Sequence, residues 1–164
     1  PYAPVDAGSS MLDVGDPAPD FDRDGTAGTG YGSYRLSAAT NQAPVLVAFY
    51  TEDFAPACTG YLEALRDTDW GALTDAIAVF GVAPGTLATH REFATDLDLP
   101  FPLLVDDPGV DAQFGVQRPD GTTRRSAFLV DQRVRVAFRW LDERDAGTTD
   151  PPDIDPILAA VDRH

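Results

Sequence analysis

Apolar residues along this chain gather into runs whose spacing predicts strands and helices in alternation. Ala43 to Tyr50 (APVLVAFY) is an unbroken apolar run, the pattern of a central strand covered on both faces. Thr51 to Ala57 follows as a short connector. From Thr59 the intervals of Leu62, Leu65 and Trp70 predict an amphipathic helix. Ile77 to Val82 predicts a second buried strand, broken by Pro84-Gly85. Thr86 to Leu97 then places Leu87, His90 or Arg91, Phe93, Ala94 and Leu97 at helical spacing. Pro102 to Val105 reads as a short strand with a turn at Asp106 to Gly109, and Pro119-Asp-Gly121 as a tight turn before a strand at Ser126 to Val130. Val134 to Trp140 alternates like a hairpin partner exposed on one face. Asp153 to Val161 closes the chain as an amphipathic helix with Asp and Pro in its first turn. Upstream, Asp16 to Phe21 is punctuated by prolines, and the glycines from Gly25 to Gly32 read as turn or loop. This order predicts an α/β domain over residues 11–164, a central mixed sheet flanked by helices on both faces. The first ten residues lack a hydrophobic pattern and read as a tag-like or disordered extension ahead of Met11.

Charge changes the list of partners. The net charge is −15 over 164 residues; all 12 basic residues are arginine, and of 27 acids only Glu52, Glu63, Glu92 and Glu143 are not aspartate. A field of that sign repels nucleic-acid phosphate and anionic membrane surfaces, so neither is expected as a partner. No apolar run reaches bilayer length, and the chain reads as soluble and cytoplasmic. The acidic, lysine-free composition is similar to that of proteins from salt-loving organisms, where screening makes dense like charge tolerable.

The candidate chemistry is sparse. A single cysteine, Cys58, excludes an intramolecular disulfide, and two histidines, His90 and His164, are too few and too scattered for a His/Cys metal site. Asp20-Phe-Asp22-Arg-Asp24-Gly25 matches the front of a calcium loop. Its twelfth position is Tyr31, and Pro17 and Pro19 exclude the entering helix, so it reads as an acidic turn. No metal and no cofactor is expected. Cys58 stands out by position. At a helix start, free N–H groups and aligned peptide dipoles favour a thiolate by roughly 0.3–1 kcal/mol, and the thiolate is the nucleophile.

FYTEDFAPAC (Phe49 to Cys58) resembles the active-site segment of the peroxiredoxins, thiol peroxidases of thioredoxin-like fold. The likeness continues through Gly81 to Val116 and RSAFLVD from Arg125 to Asp131, spanning Gly15 to Trp140, and the bacterioferritin-comigratory branch is the most similar. It implies a peroxide substrate, a sulfenic acid formed on Cys58 and an active-site arginine at Arg125, with Arg124 as the alternative since only one of two strand neighbours faces the thiol. The family motif is Pro-x-x-x-Thr/Ser-x-x-Cys. Here Thr51 stands at the proline and Ala55 at the hydroxyl. A lost charge-assisted hydrogen bond of about 1.5–3 kcal/mol slows the reaction roughly tenfold to hundredfold, unless Thr51 or Thr59 supplies a hydroxyl from another direction. The branch's resolving cysteine is Glu63 here, so the cycle is of one-Cys type, with an external thiol or thioredoxin-like reductant and an oligomer left open. His90 falls where the family often has a helix histidine and reads as a packing residue or surface partner; Phe138 and Trp140 read as sheet residues. The alternative function is a thioredoxin-fold redox sensor, monothiol exchange partner or binding module.

Overall fold

The computed structural model describes residues 11–28, 30–106, 109–144 and 147–164; the first ten residues and part of the Asp106 to Gly109 turn lie outside them. The strands are β1 (Asp22–Ala27), β2 (Gly30–Arg35), β3 (Val45–Phe49), β4 (Ala78–Ala83), β5 (Leu103–Val105), β6 (Ser126–Val130) and β7 (Val136–Leu141). The helices are α1 (Leu36–Thr40), α2 (Pro56–Arg66), α3 (Trp70–Leu73), α4 (Leu87–Leu97), α5 (Val110–Phe114) and α6 (Asp155–Arg163).

One sheet runs in the order β2-β1-β5-β4-β3-β6-β7. The pairs β3–β4 and β4–β5 are parallel. The pairs β1–β2, β1–β5, β3–β6 and β6–β7 are antiparallel. Every residue of β3 is buried, as an unalternating apolar run near the middle of a two-faced sheet requires.

Alternation along the strands divides the core in two. Val45, Val47, Phe49, Phe128 and Val130 face α1 and α5 through Leu36, Val110 and Phe114. Leu46, Ala48, Tyr50, Ala127 and Leu129 face α2, α4 and α6 through Cys58, Leu62, Phe93 and Ile157. Helices therefore cover both faces, as the pattern predicts.

Three expectations are corrected. The stretch from Gly25 to Gly32 is not all loop: Gly25 lies in β1, Gly30 and Gly32 lie in β2, and only Gly28 among these glycines sits in the turn between them. A Cβ on Gly25 would stand 2.8 Å from the Leu103 carbonyl oxygen, so that glycine permits close strand approach. The acidic segment is accordingly strand and not turn: Asp20 accepts from Ser37, Asp22 pairs with Arg35 and Asp24 accepts from Ser33. The helix expected from Thr59 begins at Pro56, because proline suits a first helical position where no N–H is needed.

Candidate active site

The strand β3 delivers the chain to Tyr50, the loop Thr51–Ala55 turns it, and α2 carries it away. Cys58 is the third residue of α2, within the turn whose N–H groups lack intrahelical acceptors. Its sulfur is fully buried (0% exposed) and accepts a hydrogen bond from the Thr51 N–H at 3.4 Å. The helix N-cap is Ala55, in extended conformation, and no side chain caps the end.

Neither threonine hydroxyl is directed at the sulfur. Thr51 Oγ1 donates to the Thr123 carbonyl at 3.0 Å, and Thr59 Oγ1 donates back to the Ala55 carbonyl at 3.0 Å. Thr51 reaches the sulfur through its backbone instead. A proline at this position has no N–H and could not make that bond.

Arg125 lies one step before β6, on the face of Ala127 and Leu129 and hence of Cys58. It is 2% exposed, whereas Arg124 is half-buried and lines a groove with Met11, Gln117 and Leu141. The choice between the two arginines thus follows from strand alternation. Arg125 Nε donates to Asp142 Oδ2 at 2.8 Å, while its Nη2 is buried without a hydrogen-bond partner among the described residues. Arg144 grips the same carboxylate from outside, Nε to Oδ1 at 2.9 Å and Nη2 to Oδ2 at 3.0 Å. Burial pushes the Asp142 carboxyl up, but the bonds from Arg144 and Arg125 outweigh it and hold the group at about 2.

Tyr61, one turn beyond Cys58, ties these parts together. Its hydroxyl donates to the Ser126 carbonyl at 2.9 Å and its ring packs on Trp140 at 5.5 Å. Burial pushes its phenol well above the usual range; Cys58 and Asp142 push the same way, and Arg125 opposes them. One phenol therefore stands within reach of the sulfur, the guanidinium and the carboxylate together. On the far side, Thr123 receives Arg118 Nη1 at 2.9 Å on the carbonyl that Thr51 also uses, and its own hydroxyl donates to Asp111 at 2.6 Å.

Asp142, Tyr61, Thr123 and Arg118 are not singled out by the sequence, since no spacing marks residues that meet only across the sheet. His90 departs from the surface alternative: it is fully buried, with Nδ1 2.6 Å from Asp53 Oδ2. Trp140 belongs to the sheet but also walls the Cys58 side through Tyr61.

Comparisons with known proteins identify the family. The model of the AhpC/TSA family matches residues 14–139. Peroxiredoxin Bcp of Bacillus subtilis is 31% identical over 138 residues, covering 79% of this chain and 85% of the relative. Alkyl hydroperoxide reductase E of Mycobacterium tuberculosis is 34% identical over 135 residues, covering 78% and 84%. Among solved structures, peroxidoxin BcpB from Mycobacterium tuberculosis superposes with a TM-score of 0.75 at 26% identity, over 92% of this chain and 97% of that one. AhpC of Enterococcus faecalis gives 0.79 at 17% identity over 92% and 90%, a likeness of fold. With the thioredoxin-like sheet, the family match across most of its length and relatives above 30% identity, this chain belongs to the AhpC/TSA family of peroxiredoxins, on its bacterioferritin-comigratory side.

Proposed function

We propose that the chain is a one-Cys thiol peroxidase for hydrogen peroxide or organic hydroperoxides, with Cys58 as nucleophile and Arg125 as the group that holds the peroxide. The observation that carries this reading is the unpartnered Nη2 of Arg125, buried on the Cys58 face of the sheet. A buried donor without an acceptor costs about 1–3 kcal/mol, and a peroxide oxygen between guanidinium and sulfur supplies the missing acceptor. The Cys58 thiolate attacks one peroxide oxygen. The S–O bond forms as the O–O bond breaks, sulfur is oxidised to sulfenic acid, and the departing oxygen takes a proton to leave as water or alcohol. An external thiol, small or carried by a thioredoxin-like protein, condenses with the sulfenic acid to a mixed disulfide and releases water. A second thiol then frees Cys58.

The Thr51 N–H acts where the missing hydroxyl of Ala55 would, donating to the charged sulfur. Thr59 serves the helix end through the Ala55 carbonyl. A second reading, a slow redox sensor or monothiol exchange partner, draws on the wholly shielded sulfur and on Ala55. Stopped-flow mixing with peroxide, with the sulfenic acid trapped on Cys58 and identified by mass spectrometry, separates the two. Oxidation far faster than that of free cysteine, and abolished in Cys58→Ser, supports the peroxidase; a rate equal to that of a free thiol overturns it. The acidic, lysine-free surface supports a protein adapted to high salt, tested by a melting temperature that climbs with potassium chloride.

A further inference from the structure

We propose that Asp53 and His90 are positioning residues for Cys58: clamped together with Tyr50, they hold the strained loop whose first amide donates to the sulfur. The proposal rests on the peroxidase reading for its consequence in rate, but its geometry stands apart from Arg125.

The loop Thr51–Ala55 contains Phe54 at φ +67°, a left-handed conformation that a bulky side chain enters only where its surroundings impose it. Two contacts with α4 impose it here. The Phe54 ring, 47% exposed, packs against Phe93 at 4.9 Å. The Asp53 carboxylate takes the Tyr50 hydroxyl at 2.7 Å on Oδ1 and faces His90 Nδ1 at 2.6 Å with Oδ2. Burial, reinforced by Asp53, pushes the Tyr50 phenol well above its usual range, so it acts as a donor.

His90 Nε2 faces the carbonyl oxygens of Ala83 at 3.0 Å and Leu104 at 3.2 Å, so that nitrogen carries a proton. The 2.6 Å contact between Nδ1 and Oδ2 needs one further proton, held between the two groups, so the pair is neutral as a unit. Both side chains are closed to solvent, at 0% and 3% exposed. Glycine at residue 85, at φ +136°, packs closely on the pair: a Cβ there would stand 3.1 Å from His90 Cε1, tighter than an ordinary contact. A buried polar pair with every group engaged is a strong constraint on geometry. This one fastens the middle of the loop to the end of β4, the middle of β5 and α4. Two residues earlier, Thr51 directs its N–H to Sγ.

Asp53→Asn and Tyr50→Phe test the assignment in the full chain, with thiol ionisation followed by ultraviolet thiolate absorbance against a Cys58→Ser baseline. If the loop is released, the Thr51 donor is lost and ionisation of Cys58 moves to higher pH, by about one unit in Asp53→Asn and less in Tyr50→Phe. Peroxide oxidation near neutral pH slows about tenfold in the first variant. A purely electrostatic role gives the opposite sign in Asp53→Asn, because removing a negative charge favours the thiolate. Titrations that coincide with the parent protein, or that move to lower pH, overturn the proposal. Tyr50→Phe keeps every charge and decides the matter alone if Asp53→Asn does not fold. A parent protein no faster than free thiol, with ionisation still shifted in the variants, removes the peroxidase reading and leaves the positioning role standing.

Discussion

Arg125 and His90 are both buried basic side chains, on the Cys58 side of the sheet, and each faces a buried aspartate. The two clusters are nonetheless built on opposite plans. Around His90 both ring nitrogens are engaged and Asp53 takes Tyr50 as well. Around Arg125 one arm is held by Asp142 while Nη2 is left with nothing to bond. A closed network fixes conformation, and an open one leaves capacity for a ligand. The difference teaches that burial of charge is not by itself the mark of a reactive centre; the unsatisfied donor is. On the proposed reading the two clusters have separate tasks toward one sulfur: Arg125 to meet the substrate, and His90 with Asp53 to hold the loop.

The largest expected effect comes from removing the anchor of the open cluster. Asp142→Ala leaves the Arg125 guanidinium buried without a carboxylate, and urea unfolding should show a loss of about 3–5 kcal/mol. A loss under about 1 kcal/mol would mean that the guanidinium finds water in the folded protein, and the contrast with the sealed His90 cluster would weaken. Next, Arg125→Ala should lower the second-order rate with peroxide by about a hundredfold to a thousandfold, on the scale of deleting a preorganised transition-state donor. Cys58 should remain titratable in that variant, and an unchanged rate would remove Arg125 from the site.

A smaller effect concerns acid. The Asp142 carboxyl sits at about 2 in the folded protein against an ordinary 3.8, so its unfolded form binds protons first as pH falls. Its contribution, on the order of 2 kcal/mol, is complete above about pH 4 and fades as pH drops toward 2. Urea midpoints of the parent protein and Asp142→Asn, measured from neutral pH downward, should converge over that interval. The smallest effect is a gain. Ala55 is an N-cap without a capping side chain, so Ala55→Thr should add about 1 kcal/mol by accepting an N–H of the first turn of α2. Calorimetry should show a melting temperature higher by about 2–4 °C. The peroxide rate should stay near that of the parent protein, because the Thr51 amide already donates to the sulfur; a much faster variant would show that the amide does not fill the role.

Much of this arrangement is legible in one dimension. The central strand Val45–Phe49 announces itself because both its faces are buried, which leaves no polar position in the run. The position of Cys58 follows from the strand, connector and helix around it. The short helices α1, α3 and α5 escape such reading, as four or five residues hold less than two turns of pattern and depend on the sheet they cover. The β1–β2 hairpin escapes for the opposite reason: its glycines resemble a loop, and only contact with Leu103 and Tyr34 shows that they make space between neighbours.

The sequence by itself determined the fold class, the candidate nucleophile, the arginine pair from which Arg125 comes, and the absence of a second cysteine. Those are properties of residue type and local periodicity. Tertiary structure decided that the Thr51 amide reaches the sulfur, that Arg125 is the arginine on its face of the sheet, and that Asp142 meets Arg125 as Asp53 meets His90. Arg125 and Asp142 are 17 residues apart, and Asp53 and His90 are 37; no periodicity spans such gaps. Whether a hydroxyl or an amide donates depends on the path of a strained loop, set by the packing of Phe54 and Asp53 on α4 and not by the identity of Thr51.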